Sequence, residues 1–146
     1  MRVLGVSCRV RQASVNEAML RAAARLAPSP MRLTVCAGLG ELPLFNPVET
    51  DRPGEVVRRW FSAAEQADAL VLASPEYAHG LTGTIKNALD WLVRFEHFTG
   101  EPVAIVNTSL RARHADAALR KVLRTTAATD RSASFGDTAV AVRPSG

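Results

Sequence analysis

The chain reads as an α/β protein, a three-layer sandwich in which parallel strands are joined by helical crossovers. Short apolar runs bounded by Gly, Pro or polar clusters alternate with longer stretches whose apolar residues recur three and four apart. The order that results is strand and helix in strict alternation up to a fifth strand. Consecutive strands separated by a helix pair in parallel. With 146 residues, 47% of them apolar, the chain suits a single core, so one domain over 1–146 is expected.

Val3-Leu4-Gly5-Val6 is the first buried strand. Ser14 is the natural N-cap of the first helix, with Glu17 three residues on in a capping-box arrangement. Val15, Ala18, Met19, Ala22, Ala23 and Leu26 give that helix its expected apolar face, and Pro28 and Pro30 stop it. Residues 31–37 form the second strand, followed by a long Gly/Pro-containing loop from Gly38 to Arg52. Pro53 marks the start of a second helix, with Val56, Val57, Trp60, Ala64 and Ala67 on one face. Ala69 to Ala73 is the third strand, ended by Ser74-Pro75. Thr84 to Arg94 is the third helix, and Val103-Ala104-Ile105-Val106 the fourth strand. Ala112 to Thr126 is the fourth helix, with a stripe of Ala115, Leu119, Val122 and Leu123, and residues 137–142 are the fifth strand.

Composition excludes several classes of function. The formal charge is +4 and 22% of residues are charged, which argues against global disorder. The basic excess is uneven: residues 1–34 carry six Arg against one Glu, and residues 35–106 five basic against ten acidic groups. A pI near 9.8 raises nucleic acid as a partner. Sixteen of the eighteen basic residues are Arg, but they are scattered, without a basic helix, a zinc-finger spacing or an aromatic stacking motif. No nucleic-acid partner is expected. The longest apolar runs, such as 67–73, are too short to span a bilayer, and the N-terminus is too brief for a signal sequence. Cys8 and Cys36 cannot make a disulfide framework and read as two unrelated buried thiols. The expectation is a soluble, cytoplasmic domain with no membrane partner.

In an open parallel sheet, ligands lie beyond the carboxyl ends of the strands where strand order reverses. That rule selects the loops after strands one, three and four. The first, residues 7–16, combines hydroxyls, amides and two Arg and ends at a helix N-terminus, which favours an anion. It is neither a phosphate-binding P-loop nor the Gly-x-Gly-x-x-Gly dinucleotide loop. The second is Ser74-Pro75-Glu76-Tyr77-Ala78-His79-Gly80, running into Lys86-Asn87-Ala88-Leu89-Asp90-Trp91. The third is Asn107-Thr108-Ser109-Leu110-Arg111-Ala112-Arg113-His114. Arg9, Arg11, Arg111 and Arg113 together predict a basic mouth on this edge.

The stretch 74–92 resembles the Pro-Glu-Tyr … Gly-x-x-Lys-Asn-Ala-x-Asp-Trp pattern of the NADPH-dependent FMN reductase family, which has a flavodoxin-like fold. Residues 41–52 resemble that family's loop after strand two, and Arg11, Ser14 and Asn16 fall in register with its first loop. The resemblance covers about residues 1–125 and implies a five-stranded sheet of order 2-1-3-4-5. It also implies FMN as cofactor, NADPH as hydride donor, and free flavin, a quinone or another small molecule as acceptor. The phosphate would sit with Ser7, Arg9, Arg11, Ser14 and Asn16. The ring would lie against Pro75, Glu76, Tyr77, His79 and Gly80, with Ser109 on the third loop. Hydride transfer needs stacking and exclusion of water more than a protein acid or base, so no catalytic residue is assigned.

Three departures stand beside the resemblance. Cys8-Arg9 replaces the family's Gly-Ser, the third loop has no glycine, and the chain stops at Gly146, where the family carries a further helix. With that last helix missing, a homo-oligomer or a partner subunit covering the sheet is expected. The departures also keep an alternative open, a degenerate flavodoxin-like binding or assembly subunit without flavin turnover. Lys86 and Asn87 read as structural, Trp60 and Trp91 as core. The three His lack metal-ligand spacing, so no metal is expected.

Overall fold

From Val3 to Ser7 every residue of β1 (Arg2–Ser7) is buried, which places this strand inside the sheet rather than at its edge. The computed structural model of the protein describes residues 1–7, 14–107 and 113–126, and the backbone of 129–130. On one side β1 pairs in parallel with β2 (Arg32–Val35), and on the other with β3 (Ala69–Ala73), Ser7 standing opposite Ala73. Strand β6 (Pro102–Val106) extends the sheet beyond β3, with Val106 opposite Ala73. A two-residue segment, β7 (Thr129–Asp130), pairs with the start of β6.

The sheet order is therefore as expected, but among the described residues there are four full strands rather than five, with a two-residue segment at the edge. β7 lies in the polar stretch after the fourth helix, where the backbone can pair with β6 without an apolar run. The expected fifth strand at 137–142 lies outside the described residues.

Alternation along β1 sorts its side chains onto two faces. Leu4 and Val6 join Leu70, Leu72 and Val103 in the main core. That core is closed by α2 (Glu55–Glu65), α3 (Gly83–Leu92) and α4 (Arg113–Thr125) through Val57, Trp60, Ile85, Leu89, Leu119 and Leu123. Val3, Gly5 and Ser7 face the other way, toward α1 (Val15–Leu26). A Cβ added at Gly5 would lie 3.4 Å from the Leu20 side chain and 3.1 Å from that of Leu33, so a glycine here lets α1 settle onto the strand. One helix on one face and three on the other make the three layers.

The apolar face expected for α1 is corrected. Asn16 and Leu20 are the buried residues, whereas Val15 and Leu26 are exposed. The segment is rich in Ala, so its small side chains define no sharp stripe. Leu20, fully buried, sets the helix's rotation and carries Asn16, one turn earlier, inward with it. Helix α2 starts at Glu55 with Gly54 as its N-cap, two residues after the Pro53 start expected. The loop after β2 also contains more structure than expected, two 3₁₀ turns at Leu39–Glu41 and Pro47–Glu49.

The segment between these two turns is held down by α3. Asn87 Oδ1 accepts the Phe45 N–H at 2.8 Å, and its Nδ2 donates to the Pro43 carbonyl at 2.9 Å. The indole N–H of Trp91 donates to that same carbonyl at 2.9 Å, and the Phe45 ring meets the Trp91 ring edge-on at 5.2 Å. Lys86 pairs with Asp90 along the helix. The structural reading of Lys86 and Asn87, and the core reading of Trp60 and Trp91, agree with these contacts. Asn87→Asp keeps the acceptor for Phe45 but sets a carboxylate oxygen against the Pro43 carbonyl. A loss of about 2 kcal/mol in a denaturant titration is expected. An unchanged midpoint would mean that the apolar contacts of Phe45 hold the loop alone.

Candidate functional site

Strand order reverses between β1 and β3, since the chain leaves β1 through α1 on one face and returns through α2 on the other. At the carboxyl edge of these strands lie four of the five buried polar residues described, Ser7, Asn16, Ser74 and Thr82. Buried polar groups are costly unless partnered, so their gathering at one place marks the site. Ser74 Oγ donates to the Pro75 carbonyl at 3.0 Å, and Thr82 caps α3 by accepting the Ile85 N–H. Ser7 is different. Its hydroxyl is fully buried and has no hydrogen-bond partner among the described residues.

The first loop reaches the site through α1. Ser14 Oγ accepts the Glu17 N–H at 3.4 Å, as its N-cap position predicts, and Glu17 in turn holds Arg21. Asn16 is buried in the first turn of this helix, on the rotation set by Leu20. Ser7, Ser14 and Asn16 thus belong to the end of β1 and the start of α1, where free N–H groups favour an anion. Arg9 and Arg11, and Ser109 of the third loop, lie outside the described residues.

The second loop is a hairpin, which the sequence pattern did not reveal. Strand β4 (Glu76–Tyr77) pairs antiparallel with β5 (Gly80–Leu81) across a two-residue turn. Ala78 and His79 form that turn at φ +48° and +57°. Tight hairpin turns require positive φ at both central residues, a region that costs a side chain with Cβ about 1–2 kcal/mol. Tyr77 stands on the hairpin with 66% of its surface exposed. His79 is also exposed, and its ring meets that of His114 edge-on at 5.0 Å. His114, which the sequence reading left outside the site, joins it because α4 begins at the same sheet edge.

Glu76 points away from solvent. Its Oε2 accepts the Ala115 N–H at 2.9 Å, in the first turn of α4, and its Oε1 lies 3.4 Å from His79 Nδ1. The Ala115 N–H above all, with that of His114 and the two imidazoles, holds the carboxyl below its ordinary value of 4.5 against the opposing effect of desolvation. A lowered carboxylate pKa contributes stability that is complete above pH 4.5 and is lost as pH falls through the folded value. Thermal midpoints are thus expected to be level from neutral pH to about 5 and to fall below that. In Glu76→Gln this acid limb should be shallower but not absent, because Asp68 and Glu55 are lowered as well. An acid limb as steep as the wild type's would show that Glu76 contributes nothing to it.

No cluster of three metal-binding side chains occurs among the described residues. Burial pushes the Cys36 thiol up to about 11, so it stays protonated at neutral pH and is a poor nucleophile. A cavity of about 370 Å³ lies beside it, between β2 and α2, lined by Leu4, Leu42, Trp60 and Ala63. It is away from the β1–β3 switch point.

Comparison with known proteins follows the same line. The family described as NADPH-dependent FMN reductase matches residues 1–141. An NAD(P)H-dependent FMN reductase of Pseudomonas aeruginosa is 37% identical over 112 residues, 75% of this chain and 60% of that protein. A quinone reductase of Pseudomonas putida is 34% identical over 104 residues, 68% of this chain and 55% of its own length. The chain thus spans little more than half the length of these curated relatives. Among solved structures, the flavoenzyme NAD(P)H:(acceptor) oxidoreductase of Paracoccus denitrificans superposes with a TM-score of 0.79 at 26% identity. That match covers 93% of this chain and 76% of the other.

Proposed function

Because the chain belongs to the NADPH-dependent FMN reductase family, of flavodoxin-like fold, we propose that it binds FMN at the β1–β3 switch point and carries hydride from NADPH to a small acceptor such as free flavin or a quinone. The observation that carries this reading is Ser7. A fully buried hydroxyl without a partner among the described residues, at the end of β1 and on the α1 face, is a donor in need of an acceptor. A phosphate supplies one. Ser7, Ser14, Asn16 and the first N–H groups of α1 would hold it, with Arg9 and Arg11 adding charge-assisted bonds.

The rest of the group fits the second loop. The backbone of Pro75, Glu76, His79 and Gly80 would meet the polar edge of an isoalloxazine, and the exposed Tyr77 ring offers a flat wall beside it. Bound FMN supplies a two-electron carrier that a nicotinamide can reduce and an acceptor can reoxidise. The chain's own task is to hold, orient and keep water out. Hydrolysis has no support here, because neither the Ser7 nor the Ser14 hydroxyl is paired with a base among the described residues.

The same reading takes residues 1–146 as one domain, acting in the cytoplasm on small molecules rather than on nucleic acid. No helix among the described residues is long and apolar enough to cross a membrane. A second copy of the chain, or a partner subunit, would cover the α1 side of β3 and β6. There Val71, Ala104 and Val106 are only half-buried, although parallel strands of this kind are normally buried on both faces.

Titration with FMN is expected to show saturable binding at or below about 50 µM, roughly −6 kcal/mol. Absence of saturable binding would favour the degenerate binding or assembly subunit instead. Arg11→Ala should weaken FMN several-fold more than riboflavin, which lacks the phosphate, and the FMN affinity should fall as salt rises. Equal losses for the two flavins would remove Arg11 from the phosphate site.

A further inference from the structure

We infer that Glu76 is a positioning residue, joining the Tyr77 hairpin to the N-terminus of α4 so that the second and third loops keep a fixed spacing around the site. The inference deepens the FMN reading, but its first test does not depend on it. A two-stranded hairpin is not stable by itself. This one also carries two consecutive side-chain-bearing residues at positive φ, Ala78 and His79, a conformation that persists only where the surroundings over-determine it. The carboxylate of Glu76 provides such surroundings.

Its two oxygens face two ways. Oε2 accepts the Ala115 N–H, 39 residues further along the chain. Oε1 faces Nδ1 of His79 in the hairpin's own turn. The side chain is only 13% exposed, so these contacts are sheltered. A carboxylate at the start of a 13-residue helix also meets the positive end of the helix dipole and satisfies N–H groups that the helix leaves unpaired. The first turn of α4 directly follows the loop 107–112, which contains Ser109, and Tyr77 directly follows Glu76. One side chain therefore sets the hairpin against the helix from which the third loop departs.

Amide hydrogen exchange of the flavin-free protein separates this role from that of a simple helix cap. In Glu76→Ala, exchange at residues 77–81 and at 114–116 is expected to rise together, tenfold or more, while β1 and β3 stay protected. Glu76→Gln, which keeps an acceptor oxygen, should restore most of the protection. Glu76→Asp, one methylene shorter, should fall between the two and serves if the alanine variant does not fold. A rise confined to 114–116 would overturn the inference and leave an ordinary cap.

Flavin binding supplies the second readout. FMN and riboflavin should weaken alike in Glu76→Ala, about tenfold, because the ring's support is lost and not the phosphate's. Leu119→Ala, which loosens α4 through the core, is the control. A loss in Glu76→Ala no larger than the control's would overturn the inference. Failure of the wild type to bind FMN would overturn the proposed function instead, with the exchange experiment still deciding the coupling.

Discussion

The parallel pairing of β1 with β3, in the register that sets Ser7 opposite Ala73, is the constraint on which the rest of this structure depends. Buried on both faces, β1 forces its two crossovers apart, α1 to one side and α2 to the other. The crevice between them is a consequence of topology, open at the carboxyl edge because no helix can cover the place where the connections diverge. Polar residues accumulate there at a cost in stability. Ser74 and Thr82 spend their hydroxyls on the Pro75 carbonyl and the α3 cap, but Ser7 could be replaced by an apolar group if packing were the only requirement.

The 74–92 motif divides into two physical roles. Residues 74–80 lie at the carboxyl edge of the sheet, after β3. Asn87 and Trp91 face away from it and fasten the loop 43–47 to α3 through two backbone groups, the Pro43 carbonyl and the Phe45 N–H. Phe45 and Trp91 then close the core beneath, with Phe61 stacked on Phe95 alongside. The part of the sequence that most clearly signals the family is thus half edge loop and half scaffold, and the scaffold half fastens α3 to the segment 43–45.

Charge follows the same geometry. The carboxylates of the described residues are mostly spent on local tasks: Glu17 on Arg21, Glu55 on Arg58, Asp116 on Arg120. Asp68 accepts the Arg2 N–H at 2.6 Å and so fastens the start of β1 to the turn before β3. Glu76, like Asp68, joins segments far apart in the chain, here across 39 residues. At the carboxyl edge the first turns of α1, α3 and α4 each give an N–H group to a side chain, Ser14, Thr82 and Glu76 in turn.

The alternation of apolar runs and helical stripes determined by itself the α/β class and the positions of α2, α3 and α4, while the strand order came from the family resemblance of residues 74–92. The class and the helix positions rest on burial, and burial leaves a period in the sequence. The cap at Ser14 was equally legible, because it is a local bond between residues three apart. Tertiary structure alone decided three things. The rotation of α1 depended on Leu20 meeting Gly5, which no pattern in an Ala-rich helix reveals. The hairpin at 76–81 carries Ala-His where a turn of this kind usually announces itself with Asn-Gly, so its local signal was missing. The bond from Glu76 to Ala115 spans 39 residues, and it exists only because β3 and β6 lie side by side and bring the hairpin and α4 to one edge. Periodicity records which side faces the core; it does not record which distant groups that burial brings within hydrogen-bonding reach.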